Sequence, residues 1–210
     1  METYSLSLNN STSPDSSGCG QFEVNPYKRI TRRIDNMKIR HNQKRDIEVN
    51  ISVAQDLNVL SDNSFRSGAI IYTRYNNVTY FCLGIDTESG NLTDFGGGVK
   101  RGETIVEGGL RELEEESQGV FGNIGPDDIE NAVIFHSHNM AIMFIPLEVN
   151  PREITKKFMN KIKNEDEHEV CDITWLNAEE FLESIHGRGK KLYIRVRKLL
   201  SKVTSTITEL

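Results

Sequence analysis

Residues 96–121 read GGGVKRGETIVEGGLRELEEESQGVF, and this stretch decides more about the chain than any other. Gly96, Gly97 and Gly98 permit a tight backbone path and close approach of a ligand. Thr104 to Ser117 then reads as a helix, with Leu110 and Leu113 toward a core. Glu112, Glu115 and Glu116 stand at i, i+3 and i+4, so they share one stripe. Three carboxylates on a stripe repel each other until a cation neutralises them. A hard divalent ion with oxygen ligands does so, and Mg²⁺ binds carboxylates together with substrate phosphates. An acidic run alone is most often a solvated helix face. This one stands at fixed distances from Glu103, Arg111 and a glycine loop. Glu103 and Arg111, eight residues apart, are placed for a bidentate ion pair that locks the helix start.

Outward from this stretch, the pattern alternates strands and helices. Gly68–Arg74 and Val78–Asp86 read as a hairpin around Asn76-Asn77. Val133–Ser137, Ala141–Leu147 and Val170–Leu176 read as further strands. Pro151 opens a helix over Arg152–Ile162, and Asn177 caps one over Ala178–Ile185. Tyr193–Val203 reads as a basic last helix with Tyr193, Val196, Leu199, Leu200 and Val203 on its apolar face. Hairpins with helices between and after them predict an α/β fold, a mixed sheet covered by helices. Residues 1–25, rich in Ser, Asn, Thr and Gly, read as a disordered tail. Residues 26–64 form a basic extension, in which 51–64 is a connector packed through Val53, Leu57 and Leu60. Residues 65–205 form the domain.

The 210 residues, 37 % hydrophobic and 27 % charged, have the composition of a globular chain. No apolar run approaches the ~18 residues of a membrane span, and no secretory leader is expected. Cys19, Cys82 and Cys171 are odd in number and form no CxxC pair, which fits a reducing, cytoplasmic setting without disulfides or a zinc site. The net charge of −6 hides an asymmetry. Lys28–Arg45 holds eight basic residues against one acid, and Gly187–Thr208 holds seven against none. Two basic arms around an acidic centre suit a polyanion held near a carboxylate site. Lys190, Lys191 and Arg195 would belong to such a clamp. A solvated basic face explains the same residues without a ligand.

Gly97, Glu103, Arg111, Glu112, Leu113, Glu115 and Glu116 fall in register with the pattern G-x5-E-x7-R-E-U-x-E-E-x-G-U, where U is apolar. The stretch resembles the Nudix box. Gln118 stands where the pattern has its late glycine and Gly119 where it has an apolar residue. This reads as a shifted helix end with Gly119 as its left-handed terminator. The resemblance implies an α/β/α sandwich and metal-dependent hydrolysis of a diphosphate linkage in a nucleoside diphosphate derivative. It implies Mg²⁺ or Mn²⁺ on Glu112, Glu115 and Glu116, with Arg111 and Glu103 orienting them. Gly97 and Gly98 would lie along the substrate, and Lys100 and Arg101 could touch its phosphates or remain solvated.

The segment from His168 and Glu169 to Trp175 resembles the glutamate, strand and tryptophan of Nudix mRNA-decapping enzymes. Glu169 is therefore the candidate general base, with an exposed loop acid as the alternative. Trp175 reads as core. His136 and His138 alternate along a strand and so share a face. Capped RNA, cleaved to release m7GDP, is the preferred substrate. A small nucleotide is the second choice, and a silent nucleotide- or RNA-binding module the third. No membrane or DNA partner is expected.

Overall fold

The computed structural model describes residues 48–57, 65–130, 132–162 and 168–210. The tail, the Lys28–Arg45 arm and Leu60 lie outside them. The described strands form one mixed sheet in the order β1-β6-β7-β2-β3-β4, with β5 also on β2 and β8 also on β3. The strands are β1 (Asn50–Val53), β2 (Arg66–Tyr75), β3 (Val78–Asp86), β4 (Leu92–Thr93), β5 (Phe95–Gly98), β6 (Val133–His136), β7 (Met140–Pro146) and β8 (Val170–Asn177). The helices are α1 (Ile105–Glu116), α2 (Pro151–Ile162), α3 (Ala178–Ile185), α4 (Ile194–Leu200) and α5 (Thr204–Ile207).

Strand β2 is central and buried on both faces from Ser67 to Thr73, which explains its nearly unbroken apolar run. It runs parallel to β7 and antiparallel to β3 and β5. Ile70 and Tyr72 face one core layer with Phe144, Phe181 from α3 and Leu199 from α4. Ala69 and Ile71 face the other, with Leu110 and Leu113 from α1 and Phe158 from α2. Helices thus cover both faces, giving the expected α/β/α sandwich. The β2–β3 turn is left-handed at Asn76 (φ 51°) and Asn77 (φ 62°), the geometry of a two-residue hairpin turn. Asn177 caps α3, its side chain accepting from Glu180 N.

Three sequence readings need correction. The connector read over 51–64 supplies edge strand β1, antiparallel to β6, and a 3-10 turn over Ala54–Leu57. Val49, Ala54 and Leu57 are buried, so the hydrophobic layers extend to it. The last helix stops at Leu200 and a short helix restarts at Thr204. Val203-Thr-Ser-Thr-Ile207 is rich in β-branched residues that weaken a continuous helix, and the break lets both Val203 and Ile207 enter the core. His138 shares no strand face with His136. Strand β6 ends at His136, and Ser137–Asn139 form the tight connection to β7, closed by Ser137 N donating to Met140 O at 2.8 Å.

His136 and Ser52 hydrogen-bond across β1 and β6 at 3.0 Å. Burial holds the His136 pKa below the ordinary 6.5, so the unfolded chain gains a proton that the folded chain resists. Stability should therefore fall as pH drops below about 6.5. Urea midpoints measured from pH 7.5 to 5.5 should decline for the parent and decline less for His136→Asn.

Candidate active site

Strand β5 carries Gly96, Gly97 and Gly98 against the first residues of β2. Gly68 faces Gly96 and Arg66 faces Gly98. The backbones meet so closely that a Cβ on Gly68 would lie 2.6 Å from Phe95 O, and one on Gly96 would lie 2.6 Å from Gly68 Cα. No larger residue fits either position. A loop then leads into α1, which Thr104 caps in a reciprocal pair with Glu107.

Helix α1 sets its carboxylates beside this strand. Glu116 accepts a hydrogen bond from Gly96 N at 2.7 Å. A Cβ on Gly97 would lie 2.5 Å from Glu112 Oε2, so glycine leaves the room that Glu112 uses. Arg111 donates from Nε to Glu103 Oε1 at 2.7 Å and from Nη2 to Glu103 Oε2 at 3.1 Å. Its Nη1 donates to Glu112 at 2.7 Å and to Glu115 at 2.9 Å, and its Nη2 donates to Gly98 O at 2.9 Å. One guanidinium thereby ties loop, strand and helix together. The hydrogen bond from Arg111 holds the Glu103 carboxyl below the usual range.

The helix ends as a left-handed turn. Gln118 (φ 56°) and Gly119 (φ 60°) are both left-handed, and Gly119 N donates to Glu114 O at 2.8 Å. Gln118, in the place of a glycine, is held by its side chain, which donates to Glu115 O at 3.0 Å and meets His168 Nδ1 at 3.1 Å. Lys161 Nζ donates to Gln118 O at 2.5 Å.

The stretch that resembles the Nudix box thus sits as a strand, loop and helix on the α/β/α sandwich. No protein-family model and no curated protein matches the chain. Solved structures resemble it at low identity. An Ap4A hydrolase of C. elegans is 18 % identical over 68 % of this chain and 96 % of that one, with a TM-score of 0.41. A mutT/nudix family protein from Listeria innocua is 19 % identical over 71 % and 96 %, with a TM-score of 0.42. The NUDIX domain of Shewanella oneidensis NrtR, complexed with ADP ribose, is 11 % identical over 69 % and 88 %, with a TM-score of 0.38. Likeness this distant assigns the chain no substrate.

On helix α1, Glu112 and Glu116 stand together against the glycine strand, and Glu115 leans outward. Its side chain is 54 % exposed and meets Lys100 Nζ at 3.6 Å. Among the described residues, no three His, Cys, Asp or Glu side chains converge on a metal position. Arg111 takes one oxygen of Glu112 and one of Glu115. Two carboxylates still meet the demand of a Mg²⁺-type ion, which takes one or two together with water and substrate phosphate. Burial, then the neighbouring Asp94 and Glu112, push the Glu116 carboxyl up to about 9. A bound cation would reverse that cost, so the donor set fits a hard divalent ion.

Two residues beneath the strand carried no signal in the box pattern. Asp94 is fully buried and receives both Arg66 Nη1 at 2.7 Å and Arg66 Nη2 at 2.8 Å. Arg66 Nη2 also donates to Gly96 O at 2.8 Å. Gly96 is thus gripped at its carbonyl by Arg66 while its N–H holds Glu116. Asp94 stands between β4 and β5, with the buried Leu92 and Phe95 near it in sequence.

The other predicted residues lie as follows. Lys100 and Arg101 are exposed in the loop. Glu169 is exposed just before β8, next to His168, which contacts Gln118 past the end of α1. Lys190 reaches Thr174 on β8 at 3.3 Å, and Lys191 is exposed. Arg195 lines a cavity of about 210 Å³ with Lys198 and His138. Trp175 is half-buried, packed edge-on to Phe121 at 6.5 Å.

Gly97→Ala should keep the fold, because the atoms nearest the added methyl are the end of the Glu112 side chain. It should displace that carboxylate and lower kcat about 100-fold. Steady-state kinetics beside a thermal melt check this.

Proposed function

We propose that the chain is a divalent-metal-dependent hydrolase of a diphosphate linkage in a nucleoside diphosphate derivative. The observation that carries this is the placement of Glu112 and Glu116 against the glycine strand, tied by the Arg111–Glu103 pair. Glu112 and Glu116 would hold the ion, with Glu115 available at the edge of the stripe. The ion, when bound, neutralises phosphate charge and lowers the pKa of water. The chain's own groups do the rest. Arg111 and Glu103 keep the helix and loop in register. Arg101 is exposed in the loop and would meet phosphate oxygens, and Lys100 would join it by leaving its exposed contact with Glu115. Glu169, exposed beside the end of α1, takes the proton from the attacking water. Water adds to one phosphorus, the bridging P–O bond breaks, and two phosphate products leave.

For the substrate we infer capped RNA, with release of m7GDP, and Mg²⁺ or Mn²⁺ as the ion. Its support is the charge layout. Arg195 and Lys198 line the cavity beside the Ser137–Asn139 connection. Arg66 N donates to Asn139 O at 3.0 Å, and Arg66 also pairs with Gly98, so the cavity adjoins the glycine strand. Replacing Arg195 and Lys198 together by Ala should lower turnover of long capped RNA about tenfold or more. It should also flatten the salt dependence by about 0.7 per lost phosphate contact on a single strand. Turnover of free nucleotides should change little.

The deciding experiment is hydrolysis of cap-labelled RNA beside a panel of free nucleotides, with each metal and with EDTA. Release of m7GDP that EDTA abolishes is the expected result. Rapid turnover of a free nucleotide with capped RNA untouched would make this a small-nucleotide hydrolase. Nucleotide binding without turnover under any metal would overturn the hydrolase reading.

A further inference from the structure

A second cleft, of about 550 Å³, opens at the other end of β2, lined by Tyr75, Tyr80, Trp175, Arg152, Thr155 and Lys156. The floor comes from three strands. Tyr75 lies two residues from Thr73, which pairs with Tyr80, and Tyr80 lies two from Cys82, which pairs with Trp175. Residues two apart on a strand share a face, so the three rings sit on one surface. All three are half-buried. The wall is the start of α2, where Arg152, Thr155 and Lys156 recur at i, i+3 and i+4. The chain leading into α2 is pinned to β2, with Thr73 Oγ1 donating to Val149 O at 3.2 Å and Leu147 N donating to Tyr72 O at 2.9 Å. Arg152 and Lys156 are exposed, and the cleft has no acidic lining residue. Tyr75 and Arg66 are at opposite ends of β2, roughly 30 Å apart at the strand rise, so this cleft is separate from the box.

We propose that this cleft binds a nucleotide, its base stacked on Tyr75, Tyr80 and Trp175 and its phosphate on Arg152 and Lys156. Aromatic faces accept any base, and neighbouring cations take the phosphate. A sugar or an apolar ligand would use the rings and leave the cations idle. A bare anion would use the cations and leave three half-exposed rings idle. The volume lies in the range of small-molecule sites, about 300–1,000 Å³. Two sources present this chemistry, a free nucleotide and one nucleotide of an RNA strand. The proposal goes beyond the hydrolase reading and does not depend on it.

Trp175 is the single tryptophan of the chain, so its emission reports on this cleft. The parent protein, in EDTA and low salt, is titrated with AMP and separately with a 5′-hydroxyl oligoadenylate. Neither contains a diphosphate linkage, so turnover cannot interfere. Saturable quenching is expected, and Arg152→Ala with Lys156→Ala should weaken it about tenfold with an unchanged far-ultraviolet spectrum. Quenching by AMP supports the proposal with a free nucleotide as ligand. Quenching by the oligomer alone supports it with an RNA strand as ligand. Inorganic phosphate producing the same quenching, no saturable quenching, or quenching untouched by the double substitution would overturn it.

Discussion

Glu116→Gln is expected to lower kcat by about a thousandfold while the protein stays folded. The reason lies in what the carboxylate does at this position. It is half-buried beside the glycine strand and accepts from Gly96 N. Glutamine keeps an oxygen for that hydrogen bond and has nearly the same shape. It removes the negative charge that the site needs to hold a cation against substrate phosphates. The same change relieves a cost of the cation-free protein, because burial with Asp94 and Glu112 nearby disfavours the ionised carboxyl. In EDTA the variant should therefore melt at or above the parent temperature. In Mg²⁺ the parent should gain stability by ligation and the variant should not. Kinetics and melts with and without metal read all of this. Turnover within tenfold of the parent would remove Glu116 from the metal set.

Asp94→Ala should have the largest effect on stability. Asp94 is fully buried and Arg66 is nearly so, its side chain 14 % exposed. Deleting one partner of such a pair leaves a desolvated charge and costs about 3–5 kcal/mol. For a domain of this size that is roughly 10 °C or more in Tm. Urea unfolding should show the loss, and adding Arg66→Met should recover much of it by removing the stranded charge. Recovery of activity should not follow, because Arg66 also grips Gly96 O and so sets the N–H that meets Glu116. A single substitution that costs under 1 kcal/mol would show that water reaches the pair.

These two experiments separate what was legible in the sequence from what was not. The placement of Glu116 on one stripe with Glu112 was legible, because it follows from i, i+3, i+4 spacing along one segment. The Arg111–Glu103 pair was legible for the same reason. Asp94 and Arg66 were not, since their pairing depends on β5 lying beside β2, a contact between segments 28 residues apart. Edge strand β1 was missed because four residues of mixed polarity, Asn50–Val53, show no clear period until β6 is beside them. His138 was misplaced because alternation alone cannot say where a strand stops; the Ser-His-Asn sequence is turn-forming, and that signal outweighed the period. Trp175 packs against the core layer as expected, and strand β8 also brings it to a cleft that only the fold assembles.

The contact of Gly68 with Gly96 carries one consequence for how such a chain can drift over evolutionary time. Gly68 lies well before the box, on a different strand, yet its missing side chain makes the room in which the glycine strand lies. The box is therefore not a portable cassette. Moved into a host whose central strand bears any side chain at that position, it would be forced off its seat with all its own residues intact. A saturation screen for function should find Gly68 as intolerant of substitution as the glutamates themselves, although no reading of the motif alone would single it out.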